Sequence, residues 1–178
     1  YHNTVVAAST YCEGGKVTEA AVQQVLNVIN TRRSTLAKGQ QTNGYNGAKL
    51  PYGKNIMKVE WSCTLEKTAA SFMDGTCNHT PRAPPAGSTL IGNSDYNDIL
   101  QGGDNDLSTI LGALLGTIDH EELSIGSASV TYSTTTGPHL RPYVNLARAD
   151  VTSIGCVLEH CGTGAEANHS IYCLTDKP

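Results

Sequence analysis

The order of periodicities along this chain predicts an α+β fold, with helices packed over a largely antiparallel sheet. Three observations carry the prediction. Apolar residues recur at helical spacing in the earlier part of the chain. The last part turns to runs rich in Val, Thr and Tyr, the composition of strands. Six cysteines, at 12, 63, 77, 156, 161 and 173, include no C-x-x-C pair, so disulfides in an oxidising compartment are the expected use. A length of 178 residues fits one domain over 1–178 with a core of its own.

The elements follow in order. Residues 1–16 form a polar lead-in that Cys12 pins down. Thr18 offers an N-cap, Glu19 suits a first turn, and Val22, Val25, Leu26 and Ile29 line one face of a helix that Lys38 and Gly39 end. Gly, Asn and Tyr dominate 40–54, which makes a loop. Ser62 caps a second helix, with Leu65, Ala69, Phe72 and Met73 inward and Gly75 closing it. From 80 to 105 the prolines (Pro81, Pro84, Pro85) and many Gly, Asn and Asp predict a long irregular excursion. A shorter helix is expected from about Asp106 to Ile118. Strands are expected over Ala128–Ser133, Tyr143–Arg148, Gly155–His160 and Ser170–Leu174.

Charge and composition exclude several partners. A net charge of −4 leaves no basic footprint for nucleic acid. No apolar stretch suits membrane insertion. The chain opens at Tyr1 and reads as a mature secreted form, and the acceptor triplets at Asn78 and Asn168 agree with glycosylation outside the cell.

Three segments resemble one family. Ala149-Asp150-Val151-Thr152-Ser153-Ile154-Gly155-Cys156, followed by Cys161 and Tyr172-Cys173, is similar to the closing signature of the CAP superfamily of cysteine-rich secretory, antigen 5 and pathogenesis-related 1 proteins. Leu26 through Gly39 resembles the family's first helix, with Asn30, Arg33, Ser34, Ala37 and Gly39 matching and Ile29 where many members carry His. Met57 through Ala69 resembles its M-x-W-D-x-x-L-E-x-x-A segment, and the Trp61-Ser62-Cys63 variant is similar to the nematode Ancylostoma-secreted-protein type.

The resemblance implies a disulfide-stapled three-layer α-β-α sandwich around a central cleft. It implies the pairs Cys12–Cys63, Cys77–Cys161 and Cys156–Cys173. In many members the cleft holds two histidines and two glutamates that bind a divalent metal. Here those positions fall on Pro142, Tyr96 and Thr117, with His79 as the remaining histidine and His139 reaching the cleft only with an offset of three residues. No metal and no cofactor are therefore expected.

Other chemistry finds no support. No G-x-S-x-G elbow occurs, and His120-Glu121-Glu122 lacks the second histidine of H-E-x-x-H because position 124 is Ser. Gly162-Thr163-Gly164 lies without the βαβ unit that would give a glycine-rich loop meaning. His160 beside Cys161 reads as a strand histidine next to a half-cystine. Trp61 and Phe72 are expected in the core. The loop residues Tyr45, Tyr52 and Tyr96, with Asp95 and Asp98, are candidate recognition residues. The resemblance thus implies a non-enzymatic secreted parasite effector that binds a host cell-surface protein, platelet integrins among the candidates, and so blocks aggregation and adhesion. A lipid or sterol carrier using a groove, and less favourably a metal-dependent hydrolase, are the alternatives.

Overall fold

The computed structural model describes residues 8–77, 83–95, 106–125, 139–162 and 168–178, with the side chains of 92–95 and 168 excepted. Helix α1 (Glu19–Ala37) starts where Thr18 Oγ1 accepts from the Ala21 amide at 3.2 Å and ends at Lys38 before a left-handed Gly39. A short strand β1 (Glu60–Trp61) leads to α2 (Cys63–Ala70), whose cap Ser62 accepts from Leu65 N. Strand β2 (Thr89–Asp95) is followed by α3 (Leu107–Gly116), capped by Asp106, and a 3-10 turn over Thr117–Asp119. Helix α4 (Arg141–Ala147) precedes the hairpin of β3 (Ser153–Cys161) and β4 (Asn168–Thr175).

The sheet runs β1-β3-β4-β2 and is mixed: β1 lies parallel to β3, and the other neighbours are antiparallel. Side chains alternate across it. Ile154, Cys156, Ile171 and Cys173 join the larger core under α1, α3 and α4. Val157, Tyr172 and Leu174 pack with Ala69 and Leu65 of α2 on the other face. The result is three layers, helix-sheet-helix.

Several expectations need correction. Of the expected strand Tyr143–Arg148, Tyr143–Ala147 is helical, within α4, and Arg148 is its C-cap. Tyr143, Val144, Asn145 and Leu146 are buried in succession, which strand alternation forbids for a half-covered sheet, and Pro142 sits in the first turn, where a helix tolerates it. The excursion over 80–105 contains β2, whose pairing with β4 is interrupted by an irregularity between Leu90 and Asn93. Helix α2 stops at Ala70, and Ser71, Phe72 and Met73 continue it as turns rather than reaching Gly75. The expected strand Ala128–Ser133 lies outside the described residues.

Two buried polar groups, Arg33 and Glu66, and the half-buried Asn30 lock the layers. Arg33, 3% exposed, donates to the carbonyls of Met57, Leu146, Arg148 and Val151, so it gathers the end of α4 and the entry to β3 around α1. Burial lowers its pKa, and nearby Asp150 and Asp176 oppose that fall. Asn30 donates to Val59 O at 2.9 Å and accepts from Val59 N at 2.8 Å, holding the lead-in to β1. Glu66, fully buried on α2, accepts from Trp61 Nε1 at 2.8 Å, Lys16 N at 2.8 Å and Val17 N at 3.4 Å.

Candidate functional site

The region after α3 is assembled by a polar clasp. Asp119 accepts from Arg32 Nη1 at 2.8 and 3.0 Å and from Gln41 Nε2 at 2.9 Å. Asn43 donates to Leu123 O at 2.9 Å and accepts from Leu123 N at 2.7 Å, while Gly44 N donates to Ile118 O. Gly44 has φ +73°, and a Cβ there would press on Glu122. The loop after α1 is thereby fixed against residues 118–123, which sets the Tyr45 ring 4.9 Å from that of His120.

Of the positions implied for a metal cleft, Thr117 opens the 3-10 turn and Pro142 is in the first turn of α4. Tyr96 and His79 lie outside the described residues, as do Asp98 and Asn78. Close to this turn His139 Nδ1 lies 2.8 Å from Glu121 Oε1, both solvent-exposed. One imidazole and one carboxylate in an ion pair do not complete a four-ligand site, and Thr117 and Pro142 add no imidazole or carboxylate. Among the described residues, those at the implied positions do not complete the tetrad metal site. Cys77, Glu159 and Cys161 also converge within 4.8 Å, but the two sulfurs are bonded to each other.

Disulfides join Cys12 to Cys63, Cys77 to Cys161 and Cys156 to Cys173. Asp95 ends β2 opposite Ser170, and Asn168 begins β4 opposite Cys161. Tyr45 is 81% exposed, Tyr52 74% and Met57 61%, all in the segment joining α1 to β1. The ring of Tyr52 covers Gly39, where a Cβ would approach it to 3.0 Å at φ +65°. The cavity between α1, α3 and α4, lined by Ile29, Leu36, Leu115, Tyr143 and Leu146, measures about 10 Å³. That holds one water, against the several hundred Å³ of a typical ligand pocket. The buried Tyr143 hydroxyl has no hydrogen-bond partner among the described residues, and burial raises its pKa.

A family model for the cysteine-rich secretory protein family, CAP, matches residues 26–175. The chain belongs to this family. Among solved structures, BmVAL-1 is similar at TM-score 0.73 and 21% identity over 93% of this chain and 81% of that one. The structure of NaASP2 with Zn2+ is similar at TM-score 0.71 and 18% identity over 95% and 83%. The hookworm platelet inhibitor is similar at TM-score 0.55 and 11% identity over 96% and 76%. At these identities the likeness is one of fold. No curated protein matches the sequence.

Set within this CAP fold, the family-signature residues sort by what they touch. Asn30, Arg33 and Glu66 bond to backbone or core groups, and Gly155 lies against α2, so they hold the scaffold. The strand pairing adds a pair that sequence reading missed. His160 and His169 stand opposite each other on β3 and β4, with Nδ1 atoms 2.5 Å apart. Burial first, and then the charge of His169, lowers the His160 pKa. The signal was present: stepping equally outward along both strands from Cys156 and Cys173 arrives at His160 and His169.

Proposed function

We propose that this CAP protein is a secreted, non-enzymatic, single-domain binding protein that engages a host cell-surface protein through the loop between α1 and β1. The observation that carries the reading is the exposure of Tyr45 and Tyr52 on a loop whose backbone is clasped to the core. Large aromatic rings held out on a fixed backbone lose little conformational entropy on docking, which suits protein recognition. Asp95, Tyr96 and Asp98, two carboxylates and a further tyrosine, are the residues proposed to extend the contact. Asn78 and Asn168 are the proposed glycan acceptors.

The finer assignment is inhibition of integrin-dependent platelet aggregation and adhesion. The fold likeness to the hookworm platelet inhibitor supports testing it. Purified disulfide-bonded protein is added to stirred platelets and to platelets settling on an adhesive surface. Inhibition at micromolar concentration that weakens in Tyr45→Ala and Tyr52→Ala supports the reading. No inhibition removes the platelet target, and inhibition unchanged in both variants removes the tyrosine loop as the contact.

A further inference from the structure

The β3–β4 hairpin carries a histidine pair outside the positions of the metal cleft. Cys156 and Cys173 face each other with Cα atoms 4.1 Å apart, the close spacing of a non-hydrogen-bonded pair in an antiparallel ladder. Residues two or four positions further along both strands repeat that pairing and face, so His160 and His169 also occupy a close-spaced pair. Their rings meet edge to face with centroids 4.6 Å apart. His160 is exposed and His169 half-buried, so solvent reaches them.

The hairpin is fastened on both sides of the pair. The Cys156–Cys173 disulfide ties the same two strands behind it, and the residue after His160 is Cys161, bonded to Cys77. The Nδ1 atoms are close enough to share one proton, with one ring donating and the other offering its lone pair. Two ring nitrogens this close together, on strands tied by disulfides, can bind one ion as a chelate.

We propose that His160 and His169 bind a divalent transition-metal ion, of the copper(II) or zinc(II) class, with water completing the coordination. The ion takes the place of the shared proton, which transfers through solvent to Nε2 of the ring that had donated it, so that both rings bind through Nδ1 as neutral imidazoles. Bonds of about 2.0–2.1 Å to each nitrogen place the two nitrogens roughly 3.3 Å apart in a tetrahedral site, so the rings need part by only about 0.8 Å. Imidazole suits these ions, copper(II) most strongly, whereas calcium and magnesium call for oxygen ligands.

The test is calorimetric titration of the intact disulfide-bonded protein with copper(II) and zinc(II) chlorides, beside His160→Ala, His169→Ala and His139→Ala. About one equivalent is expected to bind, copper more tightly than zinc, with each hairpin variant weakening affinity at least about tenfold and His139→Ala leaving it unchanged. As a second measurement on the unaltered protein, copper(II) is expected to broaden the amide resonances of 158–162 and 169–171 before those of 120–123. Binding that survives in both hairpin variants, loss on His139→Ala alone, broadening centred on Glu121, or no binding below millimolar metal would each overturn the proposal.

Discussion

Gly155 is the position at which one added methyl group tests how the layers are held. An ideal Cβ there would lie 2.2 Å from Glu66 N, 2.6 Å from Leu65 C and 2.7 Å from Leu65 Cβ. Ordinary contacts need about 3.5 Å, so α2 must retreat roughly 1 Å from the sheet. These are main-chain and first-carbon atoms, which no rotamer change can move aside. Retreat is opposed by the Cys12–Cys63 bridge, the buried bonds of Glu66 and the fully buried Ala69. Gly155→Ala should therefore cost about 3 kcal/mol, the upper end for overpacking. Gly112 in α3 is the control, because its Cβ would find only Val28 Cγ1 at 3.8 Å. Gly112→Ala should stabilise by about 1 kcal/mol through helix propensity. Urea unfolding with a slope near 2 kcal/mol/M would shift the midpoints by about −1.5 M and +0.5 M respectively. If Gly155→Ala unfolds within about 0.5 kcal/mol of the parent, the close approach of α2 to the sheet is wrong as described.

Two further perturbations probe the buried carboxylate and the acid limit. Glu66→Gln must turn an amide NH2 toward either Trp61 Nε1 or the amides of Lys16 and Val17, so it should cost about 2 kcal/mol and alter the emission of Trp61, the chain's one tryptophan. An unchanged urea midpoint and spectrum would refute the Glu66 network. Burial pushes the Asp176 pKa up, but donors from Thr152 and Ser153 outweigh it and leave the pKa lowered. A carboxylate with a folded pKa below its unfolded value of about 3.9 contributes stability above that pH and loses it as pH falls through the folded pKa. Asp176→Asn should accordingly flatten the loss of stability below about pH 4, although Asp106 and Asp150, lowered in the same direction, keep part of it. Parallel acid profiles for the two proteins would contradict the assignment.

Helix starts were legible because they are local. Thr18 and Ser62 cap their helices through bonds that span three residues, and a short pattern suffices to find them. Helix α4 is not legible locally because Tyr143 and Val144 have strand propensities, while the burial that decides the matter comes from α1, α3 and β2. Strand β2 was hidden by Gly92, Asn93 and Asp95, poor strand formers that pairing with β4 overrides. Arg33 and Glu66 could be read as letters of a family pattern, but not as bonds. The most remote acceptor of Arg33, Val151, is 118 residues away in sequence. The two histidines can be paired from the sequence only by counting outward along both strands from Cys156 and Cys173 taken as facing partners.

The family signature and the site separate for a physical reason. Arg33 satisfies carbonyls that would otherwise be stranded where α4 ends, and Glu66 satisfies amides of the lead-in and the Trp61 indole. Loss of either leaves buried polar groups unpaired, at a cost that no surface change can offset locally. Thr117 is half-buried and Pro142 only partly covered, so neither is sealed in the core as Arg33 and Glu66 are. Ligands at such positions can change without disturbing the fold. The same separation lets the α1–β1 loop carry exposed tyrosines: Asn43 and Gly44 fix its backbone from within, so its outward side chains are free to serve a partner. A binding surface on that loop is therefore independent of the residues at the cleft positions, because the two draw on different residues of one scaffold.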